Sequence, residues 1–167
     1  MQVSIRKCMA DRRWMLNCMP LLFLSLSCLA VRPALADTTV IVSLRHRYLT
    51  LMENGRQIAK YPVAIGAPES PTPPGDYRIR KKVDDPSYYS HSHHKLFAPG
   101  KSNPVGVRYM VFLDSGSKEY AIHGTAWPNW VKLRAAVSLG CIRMLNHDVV
   151  KLYQDVEVGT PVIVTDK

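Results

Sequence analysis

Cysteine is scarce in this sequence. Its 167 residues contain four, and three of them, Cys8, Cys18 and Cys28, lie within the first 36 residues. If that segment is removed as a leader, Cys141 is the only cysteine of the mature chain. A single thiol excludes an internal disulfide. It leaves three roles for Cys141, which are an inert buried thiol, a bridge to another molecule, or a nucleophile.

Acidic residues are also few, with 13 Asp and Glu against 22 Lys and Arg. Removal of residues 1–36 would leave a net charge of +5, which suits an anionic polymer such as a cell wall. The sequence has no stripe of basic residues interleaved with aromatic residues, which is the pattern typical of nucleic-acid-binding proteins. We therefore predict no nucleic-acid partner. The excess of basic residues is better explained as charge that keeps the protein soluble than as a dedicated site for a polyanion.

A long hydrophobic run is missing as well. The apolar stretch 14–31 is short for a membrane span and is interrupted by an asparagine and a proline. A basic start precedes it and Ala34-Leu35-Ala36 follows it, so it has the three parts of a secretory signal peptide. We therefore predict a signal peptide over residues 1–36, cleaved after Ala36, and an exported protein of the periplasm or cell envelope. The alternatives are an uncleaved anchor, lipidation at Cys28, and export by the twin-arginine rather than the Sec route.

Short β-branched and alternating segments dominate the rest of the chain. Seven of them are typical of strands, at residues 38–42, 46–52, 58–65, 77–81, 108–114, 119–123 and 161–164. Asn54-Gly55 predicts a tight hairpin turn. One short helix is indicated by an apolar stripe, with Asn146 as its N-cap; the stripe consists of Val149, Leu152, Tyr153 and Val156. We predict a mainly β domain over residues 38–165, a sandwich or barrel with one short helix near its C-terminus.

Residues 83–106 are irregular and contain His91, His93 and His94. A His-x-His pair can chelate a metal, with a nearby aspartate as third ligand. Loops are naturally polar, however, and no second cluster has matching spacing. An exposed or substrate-lining loop is therefore preferred to a metal centre, and we predict no metal and no cofactor.

One stretch near the end of the chain holds the candidate active site. Ser138 and Gly140 precede Cys141, so the backbone there can turn tightly and direct N–H groups at a substrate oxygen. Arg143 places a cation beside the thiol, and His123 ends a predicted strand. Histidine is the usual partner of a nucleophilic cysteine, because the thiol needs a base or a depressed pKa to attack a carbonyl.

These residues resemble a known family, the L,D-transpeptidase catalytic domain of bacterial cell-wall enzymes. That family has a histidine in His-Gly-Thr or His-Gly-Ser, then Ser-His-Gly-Cys, a hydrophobic residue, and Arg or Asn. The matching residues here are His123-Gly124-Thr125, Ser138, Gly140-Cys141 and Ile142-Arg143. One position departs, because Leu139 stands where the family usually has histidine. The resemblance covers nearly all of residues 38–164 and implies a β-rich fold with the cysteine at the mouth of a groove.

The resemblance implies a catalytic assignment. Cys141 would attack, His123 would hold the thiolate as an ion pair and protonate the leaving amine, and the carbonyl of Gly124 would orient the imidazole. The tight turn predicts that backbone N–H groups around Leu139, Gly140 and Cys141 stabilise the oxyanion.

Three further residues are candidates for substrate contact. Arg143 is placed to bind a substrate carboxylate, and a structural ion pair that fixes the loop is an equal alternative. Ser138 is a second candidate. Trp127 is the third, as a wall of the groove, with simple packing as its alternative.

The family's substrate is peptidoglycan, which composition alone does not indicate. The bond implied joins the L-centre of the third-position diamino acid of a tetrapeptide stem to the terminal D-alanine. The resulting thioester would pass to an amine of another stem or of an envelope protein. Water as acceptor would make the chain an L,D-carboxypeptidase, and an inactive wall-binding module is the third hypothesis, supported by Leu139 and the basic charge. We predict an active monomeric enzyme. If the usual histidine at position 139 assists catalysis, leucine would lower activity or change acceptor choice.

Overall fold

The structure is a computed structural model that describes residues 37–90 and 94–167. The predicted signal peptide over residues 1–36 lies outside the described residues, as do His91 and His93. Across the described ranges, no helix has the length and apolar character needed to cross a membrane.

Thirteen strands and two helices make up the described part of the chain. In chain order they are β1 (Thr38–Ser43), β2 (Tyr48–Glu53), β3 (Arg56–Pro62), β4 (Ile65–Gly66), β5 (Gly75–Arg78), β6 (Lys81–Asp84), β7 (Tyr88–Ser90), β8 (Lys95–Phe97), β9 (Arg108–Asp114), β10 (Glu119–His123), α1 (Pro128–Lys132), β11 (Ala136–Ser138), β12 (Ile142–Arg143), α2 (Asn146–Asp155) and β13 (Pro161–Thr165). The predicted mainly β class is therefore confirmed.

Two larger sheets organise these elements. The first has the strand order β3-β2-β1-β13-β5, with β1 and β13 parallel and the other neighbours antiparallel. The second has the order β12-β10-β9-β6, with β10 and β12 parallel. Strands β4 and β11 form a small parallel pair, and β7 and β8 form a hairpin.

The hairpin of β2 and β3 follows from its turn residues. Asn54 and Gly55 both adopt positive φ, 50° and 76°, as the tight turn predicted from this pair requires. Along the preceding strands the side chains alternate, so Leu49 and Leu51 are fully buried while their neighbours are not. The sequence pattern thus fixes which face of the first sheet is apolar.

Both sheets contribute to one hydrophobic core, together with α2. Val149 and Leu152 on this helix, and Val156 at its end, are fully buried, which confirms the predicted stripe. Each such side chain stabilises the fold by about 1.5–3 kcal/mol on burial. The predicted N-cap was wrong: Leu145 holds that position, and Asn146 is the first helical residue. The side chain of Asn146 instead forms hydrogen bonds with the backbone of Thr125, in the loop after β10.

The single strand predicted over residues 77–81 was also wrong. The chain leaves β5 at Arg78 and begins β6 at Lys81, and these strands belong to different sheets. Ile79, between them, is 1% exposed and belongs to the core, so the chain crosses from one sheet to the other at this point. Periodicity alone did not reveal this break, because the alternation continues across it.

Candidate active site

Three neighbouring strands place functional side chains in one row. In the second sheet His123 on β10 pairs with Tyr109 on β9 and with Arg143 on β12. The residues before them, Ile122 and Ile142, are fully buried in the core. Successive side chains of a strand point to opposite faces, so His123 and Arg143 lie on the face turned away from that core.

Cys141 immediately precedes β12 and lies two residues before Arg143 in the chain. It is half-buried, and its Sγ lies 3.7 Å from the backbone oxygen of Glu119, at the beginning of β10. Cys141, His123 and Arg143 together line a cleft of about 190 Å³. The structure therefore brings together the residues predicted as nucleophile, base and cation.

The imidazole of His123 is held by two neighbours. Its Nδ1 lies 2.6 Å from the carbonyl oxygen of Gly124, so Nδ1 carries the proton and Nε2 has the lone pair. The ring of Tyr109 stacks on the imidazole at 5.6 Å between ring centroids. The contact with Gly124 is the one that the resemblance implied, whereas Tyr109 was not singled out from sequence.

Asn146 stabilises the loop that carries Gly124. Its side-chain oxygen accepts from the N–H of Thr125, and its side-chain nitrogen donates to the carbonyl of Thr125, both at 3.1 Å. Gly124 also packs closely on Gly106, since an added Cβ would lie 3.1 Å from the Cα of Gly106. This function of Asn146 was missed because an asparagine before a helix is typical of an N-cap.

The loop before Cys141 is closed by Ser138. The Ser138 hydroxyl donates to the carbonyl of Cys141 at 2.6 Å and accepts from the N–H of Gly140 at 3.0 Å. Both bonds stay inside the loop, so Ser138, which borders the cleft, shapes the loop, and its predicted substrate contact stays a prediction. The N–H of Gly140 therefore already has a partner within the loop, and its predicted part in an oxyanion site stays a prediction. The backbone of Leu139 and Cys141 is left as the candidate for that site.

Leu139 and Trp127 have different positions relative to the cleft. Leu139 lines it and is 73% exposed, so the residue that departs from the family pattern places an apolar side chain on the rim. Trp127 stacks on Trp130 at 4.9 Å and is not among the residues that line the cleft. Its connection to the site is indirect, through Arg143.

The side chain of Arg143 is partly buried, and its guanidinium is incompletely paired. It lies 4.8 Å from the centroid of the Trp130 ring, and its buried Nε and Nη1 atoms have no hydrogen-bond partner in the described part of the chain. None of the ion pairs among the described residues includes it. The alternative of a structural ion pair is therefore not supported there, and a buried unpaired guanidinium in a cleft is suited to a carboxylate ligand.

Burial controls the protonation of the catalytic pair. It raises the pKa of the Cys141 thiol, against the opposing effects of the Ala121 backbone and the nearby cations Arg143 and Lys118. Burial also lowers the pKa of His123 to about 4, against the hydrogen bonds to backbone oxygens. Both pKa shifts favour the neutral thiol and the neutral imidazole over the ion pair that the resemblance implied.

A second cleft of about 480 Å³ adjoins the first and shares part of its lining. The shared residues are Tyr88, Val105, Tyr109, Lys118 and Glu119. Part of the irregular segment 83–106 thus borders the active site, as predicted for a substrate-lining loop. His94 is exposed, and the ranges that the structure describes contain no group of three potential metal-ligating His, Cys, Asp or Glu residues.

The fold and site together define a class, the β-rich enzymes with a cysteine nucleophile and a histidine base at the mouth of a cleft. A sequence profile described as the L,D-transpeptidase catalytic domain matches residues 37–164. The chain therefore belongs to the L,D-transpeptidase catalytic domain family.

Two relatives from Bacillus subtilis, whose names place them among the L,D-transpeptidases, are similar over most of their length. YqjB is 36% identical over 140 residues, 83% of this chain and 77% of its own. YkuD is 33% identical over 139 residues, 80% of this chain and 73% of its own.

Solved L,D-transpeptidases share the fold. The enzyme LdtMt1 in complex with imipenem superposes with a TM-score of 0.64 at 21% identity, covering 78% of this chain and 59% of that protein. L,D-transpeptidase 3 from Mycobacterium tuberculosis, with a faropenem-derived adduct, gives a TM-score of 0.63 at 21% identity, covering 78% and 60%. The chain thus spans about three fifths of the length of these solved structures.

Proposed function

We propose that this chain is an exported enzyme that cleaves the bond between the third-position diamino acid and the terminal D-alanine of a peptidoglycan tetrapeptide stem. The observation that carries the proposal is the shared cleft of Cys141, an oriented His123 and Arg143, whose guanidinium forms no ion pair among the described residues. These supply a nucleophile, a base and a carboxylate-binding group within one site. Membership of the family supports the choice of a peptidoglycan stem.

The first half-reaction begins from the neutral pair. Sγ of Cys141 turns from the Glu119 carbonyl, gives its proton to Nε2 of His123 and attacks the carbonyl carbon of the diamino acid. The developing oxyanion is stabilised by backbone N–H groups of Leu139 and Cys141. The C–N bond then breaks, His123 returns the proton to the departing amine, and D-alanine leaves behind a thioester.

An amine completes the cycle. It attacks the thioester carbonyl and gives a proton to His123. The C–S bond then breaks, the new amide leaves, and His123 returns the proton to the thiolate of Cys141. The adjoining cleft of about 480 Å³ provides room for an acceptor stem and supports transpeptidation over hydrolysis by water. An amine of an envelope protein is a second possible acceptor of the same chemistry.

Arg143 is proposed to bind the terminal carboxylate of the leaving D-alanine. It is in register with His123, which protonates the leaving amine, so the leaving group lies at this end of the site. We expect Arg143→Gln to lower kcat/KM by about 10–100-fold, as for a lost charged hydrogen bond. Arg56→Gln, on the exposed start of β3, is the matched control.

The decisive assay uses purified protein and its Cys141→Ala variant with a disaccharide-tetrapeptide, and reads the products by mass spectrometry. Release of D-alanine with cross-linked dimers is expected. Tripeptide without dimers would indicate an L,D-carboxypeptidase, and the absence of any Cys141-dependent change would favour the inactive binding module. Imipenem adds an independent test, because an active site should form a covalent adduct at Cys141.

Export and assembly belong to the same proposal. The basic, apolar and Ala-Leu-Ala parts of residues 1–36 and an extracytoplasmic substrate support cleavage after Ala36. N-terminal sequencing of the protein from an envelope fraction should begin at Asp37. Light scattering of the purified protein should give the mass of a monomer.

A further inference from the structure

Two cationic side chains border the catalytic cleft without a carboxylate partner. They are Arg143 and Lys118, which line the same cavity as Cys141. Neither takes part in an ion pair within residues 37–90 and 94–167. By contrast Lys82, outside the cleft, is paired with Glu157 at 3.3 Å. Unpaired cations that converge on a cleft indicate an anionic ligand.

The ammonium group of Lys118 is held in place. Its Nζ donates to the hydroxyl of Ser70 at 3.0 Å and lies 4.6 Å from the centroid of the Tyr120 ring. An ammonium has three N–H donors, so this bond leaves others for a ligand. Because the side chain is already fixed, binding would cost less conformational entropy than for a free surface lysine.

Lys118 and Arg143 lie at opposite ends of the site. Strand β10 begins at Glu119, whose carbonyl bonds to the Cys141 thiol, and ends at His123, which pairs with Arg143. Lys118 immediately precedes this strand. At about 3.3 Å per residue, the backbones of Lys118 and His123 are roughly 16 Å apart. A substrate that crosses the thiol along this strand therefore has a cation at each end.

Glu119 is the carboxylate among the residues that line the cleft, and it is already engaged. Its Oε1 lies 3.7 Å from the Nζ of Lys81, and its Oε2 accepts from the hydroxyl of Tyr109 at 3.4 Å. Both contacts involve residues that line the adjoining cleft. Glu119 thus compensates Lys81 and leaves Lys118 available.

We propose that Lys118 forms a second carboxylate subsite, which selects donor stems whose diamino acid carries a free side-chain carboxylate. The inference rests on the proposed function. There His123 protonates the leaving amine, so D-alanine lies at the Arg143 end of the site. The acyl part of the stem must then extend toward Lys118, and its diamino acid is the residue nearest the thiol.

This assignment predicts a defined substrate preference. A stem whose side-chain carboxylate is converted to a carboxamide, or whose diamino acid is lysine, cannot form the charged contact. Its kcat/KM should be lower by about tenfold or more, as for a hydrogen bond between two charged groups. The preference, rather than the rate itself, is the signature of the subsite.

The experiment measures D-alanine release from three disaccharide-tetrapeptides, with a carboxylate, a carboxamide or no such group on the diamino acid. The full-length protein is compared with Lys118→Met, Lys118→Arg and the control Lys151→Met, at an exposed position on α2. Loss of the Lys118 charge also changes the surroundings of the thiol, but this affects all three substrates alike. The ratio of kcat/KM values therefore isolates the carboxylate contact.

A carboxylate preference that falls toward unity in Lys118→Met, recovers in Lys118→Arg and persists in Lys151→Met is the expected result. Equal rates for the three substrates, or an unchanged ratio in Lys118→Met, would overturn the subsite and leave the proposed function intact. If no stem loses D-alanine, the proposed function fails. Calorimetric titration of the Cys141→Ala protein with the same stems then decides whether the protein binds the carboxylate stem more tightly than the other two.

Discussion

The Nδ1 atom of His123 lies 2.6 Å from the carbonyl oxygen of Gly124, the next residue along the chain. A carbonyl oxygen only accepts hydrogen bonds, so this contact fixes the tautomer and leaves Nε2 as the basic atom. No side-chain carboxylate is needed for that orientation. The geometry of the base therefore depends on a backbone loop, and changes to that loop should affect catalysis.

The first prediction concerns thiol reactivity. Burial raises the Cys141 pKa and lowers that of His123, so the free enzyme should hold a thiol rather than a thiolate near neutral pH. Alkylation of Cys141 by iodoacetamide should then be slow between about pH 5 and about pH 8 and rise at higher pH. Peptide mass spectrometry follows Cys141 separately from other cysteines. A plateau of fast alkylation in the acidic range would instead demonstrate a thiolate–imidazolium pair.

The second prediction concerns stability at low pH. The pKa of His123 falls from 6.5 to about 4 on folding because the ring is buried. Between these two pKa values the histidine is protonated in the unfolded chain but not in the folded chain. The contribution of His123 to stability is therefore fully present above pH 6.5 and is lost as the pH falls toward about 4. This contribution amounts to about 3 kcal/mol between about pH 7 and about pH 4.

Urea unfolding of the wild type and His123→Gln over this range provides the measurement. The variant should lose less stability on acidification, whereas His46→Gln, at an exposed position, is the matched control. Parallel pH profiles for wild type and His123→Gln would contradict the buried neutral imidazole.

The third prediction concerns Asn146. Its two hydrogen bonds to Thr125 hold the loop that carries the Gly124 carbonyl. Asn146→Ala should cost about 1–3 kcal/mol of stability, because the loop groups lose their partners. It should also lower kcat more than it raises KM, since the imidazole loses its fixed orientation while the binding groups stay. His147→Ala is the neighbouring control, and an unchanged kcat in Asn146→Ala would argue against this positioning function.

The fourth prediction concerns Gly140, which adopts a φ of 108° beside the nucleophile. A Cβ here would lie 2.6 Å from a ring carbon of Tyr120. Gly116 is a matched control, since its φ is 83° but a Cβ there would meet nothing within 4 Å. Gly116→Ala should therefore cost only backbone strain, about 1–2 kcal/mol.

For Gly140→Ala the displacement of the loop or the ring should add about 1–3 kcal/mol and reduce D-alanine release. Thermal unfolding and activity assays of both variants separate the two effects. Equal losses of stability in the two variants would show that the Tyr120 ring moves aside without a measurable cost in stability.

Local patterns predicted much of the fold. Alternation along β1 and β2, the Asn54-Gly55 turn and the stripe of α2 each depend on residues close in sequence, so the sequence predicted them correctly. The break between β5 and β6 could not be predicted in this way. It depends on which sheet accepts each strand, and that is decided by the packing of Ile79 in the core.

The residues of the candidate site could likewise be predicted only in part. His123, Cys141 and Arg143 stood out because their residue types and motif spacing indicate chemistry. Tyr109 and Lys118 did not, since neither belongs to the motif. They enter the site through the pairing of β9 with β10 and through the side chain that anchors Lys118 to Ser70.

The sequence by itself determined the mainly β class and predicted Cys141 as nucleophile and His123 as its base, because these depend on residue identity and short-range periodicity. Only the tertiary structure decided that burial favours the neutral thiol and imidazole, and that Asn146 holds the loop of Gly124. It also decided that Arg143 and Lys118, which form no ion pair among the described residues, line the same cleft as the thiol. Burial, tautomer and charge compensation depend on groups distant in sequence. The folded sheets bring those groups within contact distance, and no local pattern in the chain specifies that proximity.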